Sequence, residues 1–370
     1  MSTTNGSGRR RTGTIRLDRP DRSDGGSAVG STTGERSKGL ITLAHGSGGR
    51  LTYDLVKGLF CRHFSNPALD LLSDSAVLDS PVGSMAFTTD GFVVSPLFFP
   101  GGDIGSLAVC GTVNDLVVAG AVPLWLSAAF FLEEGLPIGE LERIVQSMAA
   151  KAAASGVKIV TGDTKVVDKG HGDGVFIATA GVGRLHASAP VGSASVAPGD
   201  LVLVSGPIGD HGAVIAALRA GLDPGGLTSD CAPLTPLGAA IAQAGVRPKL
   251  LRDPTRGGLA TLLAEVAKDA MVSIELAESQ LPVRDSVRGV CDLLGLDPLY
   301  LPCEGRLVAL VEAAQVDAVL GALRRIPDGA DATVVGRVVD ADVGPVVLRT
   351  RYGGRRLYDT LAAEQLPRIC

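Results

Sequence analysis

Val160-Thr-Gly-Asp-Thr-Lys-Val-Val167 is the stretch on which the fold of this chain turns. The apolar run at 157–161 predicts a strand whose continuation becomes polar. Side chains alternate along an extended chain, so Asp163 and Lys165 share one side of it. A lysine held beside a carboxylate can orient a phosphate or shuttle a proton, and the same pair also suits a plain surface ion pair. Upstream, Ile138, Leu141, Ile144, Val145 and Met148 recur at helical spacing until Gly156, which predicts an amphipathic helix feeding that strand. Downstream, 175–181 is a second apolar run.

The alternation extends in both directions. His45-Gly-Ser-Gly-Gly49 leads into a helical pattern of Leu51, Leu55, Val56, Leu59 and Phe60. Runs at 76–78 and 85–88 are β-like, 104–120 is a small-residue helix able to pack closely, and 124–132 is a buried strand. Ala197-Pro-Gly-Asp200 predicts a turn and a domain boundary. Beyond it come a strand at 201–205, a helix from Asp210, a helix after Gly257-Gly258, and strands at 307–311 and 332–339. The class is α/β (α+β) in two halves of similar size. The expected domains are 39–190 and 197–350, flanked by a disordered extension, 1–38, and a mobile tail, 351–370.

Composition sets outer limits. The 370 residues are 45% hydrophobic, 20% charged and 4% aromatic, which suits two domains with substantial cores. Residues 1–38 carry eight Lys/Arg against four Asp/Glu, so −5 overall leaves −9 for the rest. No basic stripe marks the body for nucleic acid, and no apolar run approaches the roughly 20 residues of a membrane helix. No secretory signal follows Met1, so the expected location is cytoplasmic. The six cysteines (61, 110, 231, 291, 303 and 370) show no zinc-like spacing and are expected as free thiols.

Four carboxylates sit among small residues at the ends of apolar runs: Asp74, Asp90, Asp115 and Asp253. Oxygen ligands that converge on a hard cation are what a Mg²⁺–nucleotide site needs, although any one of them also serves as a cap or Asx turn. Glycine loops at 45–49 and 205–212 can offer backbone N–H groups to phosphates, without the Gly-Lys-Ser/Thr spacing of a P-loop. His45 and His211, beside those loops, are candidates for nucleotide contact. Cys303-Glu304-Gly305 places a carboxylate just before a strand. The chain ends Leu366-Pro-Arg-Ile-Cys370, and Pro367 stops a helix from running to the end. A terminal thiol on an extended segment can travel as a carried group; alone it is simply an exposed thiol.

Taken in order, these segments resemble the HypE family of hydrogenase maturation proteins. The resemblance rests on Leu43-Ala-His-Gly-Ser-Gly-Gly49, Pro96-Leu-Phe-Phe-Pro-Gly-Gly102, Leu132-Glu-Glu-Gly-Leu-Pro137, Val160 to Val167, Asp210-His-Gly-Ala213, 288–296 and the terminal pentapeptide. It covers essentially everything from residue 40 onward. It implies a two-domain aminoimidazole ribonucleotide synthetase-like fold with a flexible C-terminal tail, N-terminal domains that pair in a homodimer, and ATP with Mg²⁺ as cofactors. It implies that Cys370 receives a carbamoyl group from HypF, that ATP drives its dehydration to a thiocyanate, and that the HypC–HypD complex takes the cyanide. Lys165 and Glu304 would handle the nitrogen protons. His45, Gly46, Gly48, Gly49, Asp163 and Asn114 would meet the nucleotide, and Asp74, Asp90, Asp115 and Asp253 the metal. Arg368 is expected to offset the α-carboxylate's effect on the thiol. Three other readings stay open here: a carrier that holds the group while a partner does the chemistry, another kinase or synthetase of the superfamily, and a degenerate scaffold.

Overall fold

The computed structural model describes residues 39–73, 75–342, 344–361, 366, 368 and 369. In chain order its helices are α1 (Arg50–Leu55), α2 (Cys61–Phe64), α3 (Ile104–Val118), α4 (Ile138–Ser155), α5 (Asp210–Arg219), α6 (Thr235–Gln243), α7 (Gly258–Ala270), α8 (Asp285–Leu294) and α9 (Val316–Leu323). Its strands are β1 (Met85–Phe92), β2 (Phe98–Phe99), β3 (Gly102–Asp103), β4 (Ala121–Glu133), β5 (Lys158–Val167), β6 (Val175–Leu185), β7 (Leu201–Val204), β8 (Leu250–Arg252), β9 (Ser273–Ala277), β10 (Val308–Val311), β11 (Thr333–Val339), β12 (Val346–Arg349) and β13 (Arg355–Tyr358).

The first half is a four-stranded sheet in the order β1-β6-β4-β5. β4 and β5 run parallel, as a crossover through α4 requires, and the other pairs are antiparallel. Gly156, left-handed at φ 72°, ends α4 as expected. The helix α3 is buried on nearly every side. Its small residues allow this: a Cβ at Gly111 would stand 2.9 Å from the Phe92 ring. The sheet covers itself with α3 and α4 on one face only. The other face leaves Met85, Phe87 and Phe131 exposed.

The second half is a seven-stranded sheet in the order β13-β12-β9-β11-β7-β10-β8. Along β7 the side chains divide: Leu203 joins a core that continues into the first half, while Val202 and Val204 join a second core against α7. That division is the period-2 alternation of a strand buried on both faces. Among the described residues, no helix is long and apolar enough to cross a membrane.

Three expectations change. The run at 76–78 forms no strand, and Val77 is 88% exposed. It joins no sheet, so its β propensity goes unused. β2, β3, β8, β9, β12 and β13 were not foreseen. β13 falls within the segment read as tail, because Arg355–Tyr358 closes an antiparallel ladder on β12. Residues 1–38, Asp74 and Cys370 lie outside the described residues.

Candidate active site

Four acidic side chains from separate elements share one electrostatic neighbourhood at the seam of the two halves. Asp90 comes from β1, Asp115 from α3, Asp253 from the residue after β8, and Glu304 from the turn before β10. Thr88 Oγ1 donates to Asp115 Oδ2 at 2.8 Å, and the Gly91 N–H donates to Asp90 Oδ1 at 2.8 Å. Burial raises the Asp90 carboxyl, with repulsion from Asp115 adding to it. Asp253 is pushed up to about 7, by burial first and then by Asp115 and Asp90. Glu304 stands well above the usual carboxylate range, through burial and then the charges of Cys231, Asp230, Asp253 and Asp90. Its Oε1 is buried with no hydrogen-bond partner. Such a group is costly to charge and ready to exchange a proton.

The Glu304 turn is held from both halves. Its N–H donates to Asp230 Oδ1 at 3.1 Å, and its carbonyl accepts from Asn114 Nδ2 at 3.2 Å. Asn114 also donates to the Ala232 carbonyl at 3.1 Å and accepts from the Leu234 N–H at 2.8 Å. The buried amide thus ties backbone across the seam and positions Glu304 and its neighbours. Gly305 completes the turn, since a Cβ there would overlap the Asp230 carbonyl oxygen. Gly305→Ala is therefore expected to cost about 2 kcal/mol of stability. Denaturant unfolding measures this, and a loss below about 0.5 kcal/mol would mean that the 229–232 strip yields freely.

Asp163 and Lys165 stand elsewhere. The Lys165 Nζ lies 2.9 Å from Asp163 Oδ2, with both side chains more than half exposed. That hydrogen bond is the main reason the Asp163 carboxyl sits low. Asp163 pairs with Ala129, Ala129 with Ala178, and Ala178 with Gly91, so all four share one face of the sheet. Asp90, next to Gly91, points to the other face. The pair therefore lies on the open face with Phe131 and Phe87, and does not join Glu304 within one chain.

The glycine loop is close to that pair. Gly46 packs on β5 so tightly that a Cβ would meet the Val166 nitrogen at 2.5 Å. His45 Nδ1 lies 3.0 Å from both the Thr42 nitrogen and Oγ1, closing its own turn. Gly48 takes φ 87°, and Gly49 caps α1.

His211 is the other histidine expected beside a glycine loop. It is fully buried, with Nδ1 2.8 Å from Ser229 Oγ and Nε2 2.9 Å from the Ile369 carbonyl oxygen. It meets the end of the chain. Arg368 is likewise committed, its guanidinium pairing with Asp173. Sequence reasoning missed Asp230 and Arg306, which pair at 3.4 Å. No motif flags them, because only the tertiary fold brings 230 beside 304–306.

Among the described residues, no three His, Cys, Asp or Glu side chains are gathered to hold a metal ion by themselves. The donor chemistry fits a divalent cation that arrives with phosphate oxygens: Asp90, Asp115 and Asp253 are hard oxygen donors whose affinity for protons is raised by burial, with like charge adding to it at Asp90 and Asp253.

The N-terminal domain of AIR synthase related proteins matches residues 72–185, and the C-terminal domain matches 197–348. The carbamoyl dehydratase HypE of Rhodobacter capsulatus is 50% identical over 333 residues, 89% of this chain and 98% of its own. A crystal structure of hydrogenase maturation protein HypE in complex with ATP superposes with TM-score 0.85 at 46% identity, covering 89% of this chain and 99% of the other. A chain from a HypE–HypF complex gives TM-score 0.72 at 45% identity, covering 83% and 99%.

Proposed function

The chain belongs to the HypE family within the AIR synthase related proteins, and from that membership we propose that it is an ATP-dependent carbamoyl dehydratase of cytoplasmic hydrogenase maturation, converting an S-carboxamide on Cys370 to a thiocyanate. An amide oxygen is a very poor leaving group. Transfer of the γ-phosphoryl group onto it, with release of ADP, turns it into phosphate. The C–O bond then breaks with its electron pair leaving on phosphate, while nitrogen gives up its two protons and the C≡N bond forms.

The observation that carries this reading is Glu304: a buried carboxyl with one unpartnered oxygen, raised in proton affinity, beside the acidic set. Its carboxylate form, once ionised, would accept a nitrogen proton, and Lys165 is proposed for the other. Asp90, Asp115 and Asp253, with Asp74, would hold Mg²⁺, which when bound neutralises charge on the transferring phosphate. The loop of His45, Gly46, Gly48 and Gly49, with Asp163, is proposed to meet the nucleotide.

HypF supplies the carbamoyl group and the HypC–HypD complex takes the cyanide. The open sheet face, with Met85, Phe87 and Phe131 exposed, is offered to a second copy in a homodimer. Lys165 and Asp163 lie on that face and would come to the dimer interface.

Intact mass spectrometry after incubation with HypF, carbamoyl phosphate and Mg–ATP tests the reading. A carbamoyl adduct on Cys370 that loses the mass of water is expected. An adduct that stays hydrated would make the protein a carrier.

A further inference from the structure

We propose that His211 is a positioning residue that latches the end of the chain: one fixed imidazole tautomer binds the Ile369 carbonyl and so sets where Cys370 starts. Ile369 O can only accept, so Nε2 carries the proton and donates to it across 2.9 Å. Nδ1 must then accept, and Ser229 Oγ lies 2.8 Å away to donate. Ser229 Oγ in turn accepts the Cys231 N–H at 3.1 Å, which fixes the direction of its own hydroxyl proton. The donors and acceptors are thus consistent from Cys231 through Ser229 and His211 to Ile369.

The surroundings keep the ring in place and neutral. Phe99 meets it edge-on, with ring centroids 5.3 Å apart. The Pro100 carbonyl accepts from the Ser229 N–H at 2.8 Å. Burial lowers the imidazole to about 4, so the ring stays uncharged at neutral pH. Ile369 itself is 2% exposed, and the Arg368 carbonyl accepts from Arg219.

The latch is tied to the proposed proton acceptor. Segment 229–232 that carries Ser229 also holds the Glu304 turn, through Asp230 Oδ1 and the Ala232 N–H, which donates to the Glu304 carbonyl at 3.3 Å. The tail tip and Glu304 are therefore referenced to one strip of backbone. This deepens the dehydratase reading and rests on it for the kinetic arm of the test.

The full-length protein, His211→Gln, His211→Ala and Ser229→Ala are compared in two ways. The first is carboxypeptidase trimming, followed by the mass loss of Cys370 and then Ile369. Losing a hydrogen bond of ordinary net strength should speed removal of Ile369 about 3- to 10-fold in His211→Ala, with partial rescue by Gln, whose amide can still donate. The second is single-turnover dehydration, where His211→Ala is expected to lower the rate with the KM for ATP unchanged. A merely structural role would move ATP affinity and thermal midpoint together. If His211→Ala does not fold, Ser229→Ala decides, with an effect of the same sign. Trimming at the wild-type rate in the folded variants overturns the latch. A wild-type protein that never loses water would sink the dehydratase reading and leave the trimming result to judge the latch alone.

Discussion

Glu304→Gln is expected to accept the carbamoyl group on Cys370 normally and then to dehydrate it about 10²- to 10⁴-fold more slowly. The substitution keeps the shape of a side chain that is only 2% exposed and removes the group proposed to take the proton. The backbone contacts of the turn, to Asp230 and Asn114, do not involve the side chain and should persist. Folding stability should hold or rise, because the variant no longer buries a carboxyl surrounded by Asp230, Asp253 and Asp90. Time-resolved intact mass spectrometry separates the two steps. Dehydration within about threefold of wild type would remove Glu304 from the proton chemistry.

The second large effect concerns Asp253 and has a definite sign. Its folded-state value is raised to about 7, above the ordinary value of 3.8, so the folded protein binds more protons than the unfolded one in between. Without ligand, wild-type stability should therefore fall, relative to Asp253→Asn, as pH rises from about 4 to about 7, and the gap should level off above that. The expected widening is about 3 kcal/mol in favour of the variant. His211 shifts the opposite way, since burial holds it at about 4, but it is present in both proteins and drops out of the difference. Parallel denaturant titrations across this range give the measurement. A constant gap would mean that Asp253 is not kept protonated by burial and its acidic neighbours. Adding Mg–ATP should close the gap, because a cation at Asp90, Asp115 and Asp253 would favour the charged carboxylates.

Much of this was legible in the chain before any tertiary structure. Periodicity located α4 and α7, because each buries one stripe and the spacing of apolar residues records it, while small-residue and apolar runs located α3 and the strands from β4 to β7. The resemblance supplied the family and singled out Glu304, and loop context supplied Asp74, Asp90, Asp115 and Asp253 as a set. Local pattern failed where pairing depends on a distant partner. The run at 76–78 had the composition of a strand and joined no sheet, while β13 had little apolar signal and paired on β12 regardless.

The sequence by itself determined the two-domain α/β class, the family and the identity of the acidic residues, since these rest on local spacing and on residue types in order. Which of them meet was settled by long-range packing. It put Lys165 and Asp163 on the sheet face opposite Asp90, committed Asn114 to backbone across the seam, and turned His211 toward Ile369. The reason is physical. Which face a strand residue takes, and whether a buried amide or imidazole has a donor or an acceptor left over, depends on partners up to 190 residues away in sequence.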